Sequence, residues 1–493
     1  MTRRQTKRVL FATSEAHPLI KAGGLGDVSG SLPVALKRLG CDVRLVLPAY
    51  RQVLAHAGRR ARVAELTLPD TGDSLRVLHG TLDSGALPYY LIDVPLWFDR
   101  PGGPYTAPEG QDWPDNAERF AAFSRGVVEL AMGRADHAWR PQVVHCNDWP
   151  TGLVPALLAR EAIRPATVFT IHNLAYQGLV DWDTFARLRL PYELWTPEGM
   201  EFYGRFSFIK GGLAFADLLN TVSPTYASEI QTPEFGYGLE GLLHHRAKDL
   251  RGILNGADYA FWDPHEDPLI VERYDPSTLN RKYKNRQALQ RHFGLPEEPE
   301  ALLLGAVTRL VEQKGVDLLL GALGSLWQDE VQVVVLGSGD PHLELALMTR
   351  AQERADRLGV FIGHDEALAH RLVAGVDAFL MPSRYEPCGL GQMHSLRYGT
   401  IPIVRRTGGL ADSVIDATSE AIAARTATGI SFTDPSANAL TDAIRRAQDL
   451  YRDRNTWREM QRTGMAQDFS WKRSAEAYRA LYEQADSKRK RLN

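Results

Sequence analysis

Gln142-Val-Val-His-Cys146 and, one helical stretch later, Ala166-Thr-Val-Phe-Thr-Ile171 decide the fold. Both runs are apolar almost without interruption, as expected of parallel strands covered by helices on both faces. Each ends in polar residues: Asn147-Asp148-Trp149 after the first, His172-Asn173-Leu-Ala-Tyr176-Gln177-Gly178 after the second. Outward from them the first half alternates strands near 8–14, 42–48, 75–82, 87–94 and 218–223 with helices near 24–39, 116–134 and 153–163. The pattern is α/β, with a doubly wound sheet. Such sheets bind ligands beyond the carboxyl ends of their strands, so the loops after strands are where function is expected.

After Asn255-Gly256 the chain turns rich in Pro, Asp and Glu (263–300, with Asp263-Pro264 and Asp267-Pro268), which reads as a domain boundary. Alternation then restarts, with strands at 301–308, 331–336, 360–362, 377–381 and 401–404 and helices at 314–327, 341–358, 365–375, 388–398 and 439–453. A length of 493 residues suits two large domains. The expected division is 1–254, 255–470 and a closing helix in 471–493, whose stripe Ala475, Tyr478, Leu481 and Tyr482 must cover some surface. The tail Lys488-Arg-Lys-Arg491 reads as a solvated end.

With 57 Lys plus Arg against 60 Asp plus Glu, the formal charge of −3 gives no electrostatic reason to expect nucleic acid or an anionic membrane as partner. Cys41, Cys146 and Cys388 form neither a disulfide framework nor a CxxC pair, which fits a reducing cytoplasm. Arg3, Arg4, Lys7 and Arg8 resemble a signal n-region, but the apolar run Val9–Ala12 is far too short for its core and reads as a strand. No run approaches the roughly 18 apolar residues of a membrane span, and the expectation is a soluble protein.

Six loops carry candidate chemistry. Lys21-Ala-Gly-Gly-Leu-Gly-Asp27-Val-Ser-Gly30 opens a helix; its glycines allow close backbone approach, and the free N–H groups of the helix start, with Lys21, suit a phosphate. Neither a dinucleotide fingerprint nor a Walker A loop fits, since about nine residues separate it from the strand and no Gly-Lys-Ser/Thr follows. The polar strand ends around Asp148, Trp149, His172 and Asn173 offer the rings and bidentate groups that sugars need, although His172 could equally be a satisfied core residue. Arg309-Leu-Val-Glu-Gln-Lys314-Gly315 places two cations at another helix start, a combination suited to a diphosphate leaving group. Pro382-Ser-Arg-Tyr-Glu386-Pro-Cys388-Gly389-Leu390-Gly391, followed by Arg405-Arg-Thr-Gly408-Gly409-Leu, puts a carboxylate on a Pro/Gly-rich turn before a helix, where it could bind a sugar hydroxyl or simply cap the helix. Cys388 has no base placed beside it and reads as a packing residue. Asp181-Trp182-Asp183 lacks supporting context for a metal and reads as a loop.

Together with Val222-Ser-Pro-Thr-Tyr-Ala227 and Leu254-Asn-Gly-Ala-Asp258, these motifs resemble bacterial glycogen synthases and plant starch synthases over nearly the whole chain, from about residue 8 to 485. The resemblance implies a GT-B fold, two Rossmann-like domains facing a cleft that closes, with the last helix crossing back onto the first domain. It further implies retaining, metal-independent transfer of glucose from ADP-glucose to the non-reducing end of an α-1,4-glucan, with no cofactor. Carried over, Lys21, Gly23 and Gly24 meet the donor phosphates with Arg309 and Lys314. Gly363 and His364 border the adenine, Glu386 is the essential carboxylate at the donor glucose, and Cys388, Gly389 and Leu390 lend backbone groups. His172 sits beside the reacting carbon; Asp27, Asp148, Trp149, Asn173 and Asn255 hold sugar. This chain departs from its relatives at Pro150, where they commonly have His, at His364, where Tyr is frequent, at Gly391 (Thr or Asn) and at His394 (Tyr). Transfer from UDP-glucose or to a small malto-oligosaccharide, and a catalytically silent glucan binder, are the alternatives.

Overall fold

The computed structural model describes residues 6–56, 58, 60–68, 70–82 and 87–492; Arg3 and Arg4 of the signal-like start lie outside them. The chain divides into two compact units, Met1–Gly256 with Trp471–Asn493, and Ala257–Ser470.

The first unit carries strands β1 (Arg8–Ala12), β2 (Asp42–Pro48), β3 (Arg60–Thr67), β4 (Ser74–Leu82), β5 (Leu87–Asp93), β6 (Val143–Asn147), β7 (Ala166–Ile171), β8 (Leu179–Val180), β9 (Glu201–Phe202), β10 (Arg205–Ser207), β11 (Leu218–Thr221) and β12 (Leu250–Gly252). Nine of them form one sheet in the order β12-β11-β7-β6-β1-β2-β5-β4-β3, and β8-β10-β9 a small second sheet. β6 and β7, fully buried, run parallel with Val143 opposite Ala166 and Cys146 opposite Phe169. β3 and β4 form the antiparallel edge; β3 was not expected, because its half-exposed sequence Arg-Ala-Arg-Val-Ala-Glu-Leu-Thr lacks an apolar run.

The last helix, Trp471–Leu492, belongs to this unit: Ala475, Tyr478, Leu481, Tyr482 and Ala485 are at most 3% exposed and join its core. Each large side chain so buried contributes roughly 2–3 kcal/mol. The hydroxyl of Tyr478 accepts from Asn220, and that of Tyr482 meets His145 at 2.7 Å, so the core polar groups of β6 and β11 are satisfied by the end of the chain. Lys488, expected to be solvated, instead pairs with Asp249 and donates to the Asp217 carbonyl, because the helix runs on far enough to reach them.

The second unit has β13 (Leu302–Val307), β14 (Val331–Gly337), β15 (Leu358–Ile362), β16 (Ala378–Met381), β17 (Ile401–Arg405) and β18 (Ile430–Phe432), all parallel, in the order β15-β14-β13-β16-β17-β18. The expected division at 254/255 falls within two residues of the observed one, and the Pro-, Asp- and Glu-rich stretch 263–300 lies inside this unit. Its aspartates resemble a linker's solvating charges, but Asp263, Asp267 and Asp275 cap the N–H groups of His265, Leu269 and Thr278. Asp267 also accepts from Tyr398 and meets His370 at 2.7 Å. Within the stretch, Lys282–Phe293 is a helix. Among the described residues no helix is long and apolar enough to cross a membrane.

Candidate active site

In the parallel part of each large sheet the chain order reverses once, and ligands of open α/β sheets bind beside such a switch point. In the first unit it lies between β1 and β6, in the second between β13 and β16. The six candidate loops follow these strands or their immediate neighbours.

In the first unit, the loop after β1 leads into the helix Gly24–Arg38, whose N-cap is Gly23 with no side-chain cap. A Cβ on Gly23 or Gly24 would meet nothing within 4 Å, so the backbone there is open to a ligand, and the start of the helix favours an anion. Lys21 Nζ lies 2.8 Å from Asp27, both side chains about one-third exposed, so the cation and the carboxylate assigned to different substrates are here partners.

The shape of the loop is set by a residue the sequence reading passed over. Glu15, 3% exposed, accepts the N–H groups of Ala22 at 2.6 Å and Gly23 at 3.0 Å through one oxygen and the Tyr105 hydroxyl at 2.7 Å through the other. Burial pushes its pKa up, while these bonds pull it down. Only its place just after the strand hinted at such a role.

After β6, Asp148 stands at φ +55, a conformation costly for a residue with a side chain. Its buried carboxylate accepts the N–H of His172 at 2.7 Å and of Asn173 at 3.4 Å, tying the ends of β6 and β7 together. Burial raises its pKa to about 7. Asn147, also missed, donates to the Ala12 carbonyl at 2.9 Å, and its Oδ1 lies 3.0 Å from His172 Nε2. With that amide orientation, Nε2 carries the proton and Nδ1 the lone pair. Burial lowers the His172 pKa to about 3, so the ring is neutral near pH 7. Asn173 Oδ1 caps the N–H of Ala175.

Trp149 is only partly exposed; its ring lies 4.9 Å from Phe120 and 6.1 Å from Phe208, and Gly178 packs against it. Asn255, after β12, is 6% exposed, and its Oδ1 is a buried acceptor without a partner. Asp181, expected in a loop, instead starts the helix Trp182–Arg187 by accepting the N–H of Thr184, a local bond that its triplet spacing did not reveal.

In the second unit, Arg309 and Lys314 follow β13, and Ser383–Leu390 follows β16. Lys314 Nζ donates to Glu386 Oε2 at 2.6 Å, and Ser383 Oγ donates to the same oxygen at 3.0 Å. Glu386 is 5% exposed, so it is no surface cap; the helix Gly391–Arg397 starts without a side-chain cap, at Leu390. Gly389 takes φ +72, and Gln392 Nε2 donates to the carbonyls of Cys388 and Gly389, fixing the turn from within.

The loop after β17 closes over the same turn. Gly409 N–H donates to the Glu386 and Pro387 carbonyls, and a Cβ on Gly408 would lie 1.9 Å from the Glu386 oxygen. The Glu-Pro-Cys-Gly and Thr-Gly-Gly motifs are therefore one structure. Arg309 is exposed and reaches Gln313 at 3.3 Å. Gly363, at φ +141, and His364, its side chain 83% exposed, follow β15 on the far side of β14.

Residues 8–245 match the family model described as the starch synthase catalytic domain, and residues 286–463 that of glycosyl transferases group 1. The chain is 54% identical over 477 residues to glycogen synthase 2 of Nitrosococcus oceani, covering 97% of each, and 55% identical to glycogen synthase of Thioalkalivibrio sulfidiphilus, covering 96% of this chain and 99% of that one. The catalytic domain of Arabidopsis thaliana starch synthase IV, solved with ADP and acarbose, superposes with a TM-score of 0.87 at 33% identity over 98% of this chain and 99% of that one. Sucrose-phosphate synthase of Thermosynechococcus elongatus, at 18% identity and TM-score 0.59 over 97% and 98% of the two chains, shares the fold. Two Rossmann-like units with polar loops at their switch points, and relatives matched along nearly their whole length, give one conclusion: the chain belongs to the glycogen and starch synthase family of GT-B glycosyltransferases.

Proposed function

We propose that the chain transfers glucose from ADP-glucose to the non-reducing end of an α-1,4-glucan with retention at the anomeric carbon, and needs no metal or cofactor. The observation that carries the reading is the Lys314–Glu386 pair at the switch point of the second unit. A cation for the departing diphosphate and a carboxylate for the donor sugar neutralise each other until the donor arrives. The nucleotide sugar then takes Lys314 for its phosphates, and Glu386, still held by Ser383, turns to a glucose hydroxyl.

Arg309 shares the diphosphate charge, with Lys21 and the open backbone at Gly23 and Gly24 as further phosphate-binding groups. Fixed cations aimed at charge that develops as the C1–O bond breaks are worth several kcal/mol of barrier. Gly363 and His364 border the base, and the turn at Cys388, Gly389 and Leu390 supplies backbone groups. His172, neutral and oriented by Asn147, presents an Nδ1 lone pair beside the sugar, while Asp27, Asp148, Trp149, Asn173 and Asn255 serve glucose hydroxyls and faces, directly or by holding their neighbours. The glucosyl carbon exchanges its bond to the diphosphate for one to the acceptor 4-hydroxyl oxygen, whose proton leaves with the phosphate. Nitrosococcus and Thioalkalivibrio glycogen synthases, and an Arabidopsis starch synthase that holds ADP and acarbose, support this choice of substrates.

ADP-glucose and UDP-glucose offered in parallel, with chelator present, and the product linkage read by proton NMR, test the reading. Faster turnover of ADP-glucose into α-1,4 linkages is expected. Preference for UDP-glucose, a β linkage, or loss of activity with chelator would overturn the corresponding part.

A further inference from the structure

Beneath the strand ends that carry Asp148 and His172 lies a layer of fully buried polar side chains: His145 on β6, Thr170 on β7, Asn220 on β11, and Tyr478 and Tyr482 on the last helix. The three strands run parallel, with Thr170 level with Asn147 on one side and with Asn220 on the other. Side chains two residues apart along a strand share a face. His145 therefore lies one pleat below Asn147, and Thr170 one pleat below His172.

The bonds of this layer all point one way. Asn220 Nδ2 donates to the Tyr478 hydroxyl oxygen at 3.0 Å, and Asn220 Oδ1 takes the single proton of the Thr170 hydroxyl at 2.6 Å. His145 Nε2, 2.5 Å from Thr170 Oγ1, must then be the donor, which leaves Nδ1 to accept from the Tyr482 hydroxyl at 2.7 Å. Burial, and His172 nearby, push the His145 pKa down, in keeping with a neutral ring. The chain of bonds runs from Tyr482 through His145, Thr170 and Asn220 to Tyr478, one turn back in the same helix.

An apolar layer would attach the helix about as well, because exchanging both partners of a buried hydrogen bond for apolar groups of the same shape is nearly neutral. A fully satisfied polar network adds rigidity and a single geometry. Thr170 carries that geometry upward. Its carbonyl accepts the Asp148 N–H at 3.0 Å, Asp148 accepts the His172 N–H at 2.7 Å, and Asn147 Oδ1 holds His172 Nε2 at 3.0 Å. Each of these bonds crosses between β6 or its end and β7 or its end, the two strands that the His145–Thr170 bond ties together one pleat below.

We propose that the last helix is a positioning element of the transfer site: the Tyr482–His145–Thr170 relay fixes β6 against β7 and thereby the aim of His172 at the reacting sugar. The proposal rests on the place given to His172 above. Tyr482, His145 and Thr170 are positioning residues, and none of them touches substrate. A displacement of about 1 Å at a reacting centre costs up to roughly a hundredfold in rate. The donor phosphates are assigned to other loops, so donor binding is spared.

The test is a double-mutant cycle on kcat. Thr170→Val, which keeps the shape of the side chain and removes its hydroxyl, is made in wild type and in His172→Ala. Thr170→Ser and Tyr482→Phe accompany it, with Val77→Ala, a buried truncation on β4 of the same sheet, as the control for lost stability. Initial rates with ADP-glucose and glycogen, taken well below every melting point, are the readout. Thr170→Val should lower kcat roughly ten- to a hundredfold with the KM for ADP-glucose within about twofold of wild type, yet change kcat by less than about twofold in the His172→Ala background. Thr170→Ser recovers most of the loss. Tyr482→Phe, at the far end of the relay, loses about three- to tenfold with the same non-additivity, and decides the matter alone if Thr170→Val does not fold. Val77→Ala melts earlier and keeps its kcat. Losses that add in the two backgrounds, a change in KM alone, a Thr170→Ser protein as slow as Thr170→Val, or a Val77→Ala protein equally slowed would each overturn the proposal. A slow His172→Ala protein beside a Thr170→Val protein of wild-type rate would sink the proposal and leave the reading of His172 standing. A wild-type rate in His172→Ala would sink that reading, and the proposal with it.

Discussion

Replacing Glu15 tests whether a buried carboxylate shapes the phosphate loop. In Glu15→Ala the N–H groups of Ala22 and Gly23 lose an acceptor at 2.6 and 3.0 Å, and Tyr105 loses one at 2.7 Å. Bonds to a charged group contribute about 1.5–3 kcal/mol each. Ala22 is exposed, so water can replace the carboxylate there, and the low end applies to the two amides. Their sum, about 3 kcal/mol, is a factor of roughly 150 in the population of the native loop. A donor that binds only the native loop sees its apparent affinity fall by whatever fraction is lost. The KM for nucleotide sugar should therefore rise between tenfold and roughly a hundredfold, while kcat at saturation stays within about threefold. Glu15→Gln keeps one carbonyl oxygen for the two amides and loses the charge, about 1 kcal/mol, so its KM should rise only about fivefold. Initial rates across donor concentration, with a melting curve for each variant, provide the readout. An unchanged donor KM in a folded Glu15→Ala protein, or a fall in kcat alone, would refute the reasoning.

Lys314→Ala removes the cation 2.6 Å from Glu386 and should lower kcat by roughly 10²–10³ with little change in Tm; a near-normal kcat would contradict the role given to the pair. Gly408→Ala forces a Cβ against the Glu386 carbonyl at φ +44, so it should cost roughly 2–4 kcal/mol in denaturant unfolding and more than tenfold in kcat, and a silent substitution would show that the two loops are not coupled. The pKa of Asp148 is raised from 3.8 to about 7, so in that window unfolding releases a proton and stability falls as pH rises; that of His172, lowered from 6.5 to about 3, makes unfolding take a proton up, and stability rises over nearly the same range. Asp148→Asn abolishes the first effect only, so the unfolding free energy of the variant minus that of wild type should climb between about pH 4 and pH 7, and a flat difference would show that Asp148 is ionised throughout.

The strand ends were legible because a parallel strand buried on both faces is an unbroken apolar run, against which the polar residues at its end stand out. Glycine-rich turns were legible too, since Gly389 and Gly408 occupy conformations that other residues avoid. Pairings were not: Lys314 and Glu386 are 72 residues apart, and nothing in either motif says that they meet. Glu15 and Asn147 look like ordinary strand-end residues until their partners on neighbouring loops are known. Trp149 read as a sugar platform from its place beside Asp148, whereas the rings of Phe120 and Phe208 pack around it. Residues 263–300 resemble a linker because local caps and linkers draw on the same Asp and Pro, and the division placed just before them falls within two residues of the observed one. β8, β9 and β10, of two or three residues each, are too short for any periodicity to show.

The central claim is tested most directly by incorporation of labelled glucose into precipitable glycogen from ADP-glucose, measured for wild type and Glu386→Ala side by side. Incorporation that falls by several orders of magnitude in a variant with wild-type melting behaviour is the predicted result. Comparable incorporation by the two proteins, or none by wild type from either ADP-glucose or UDP-glucose, would contradict the account.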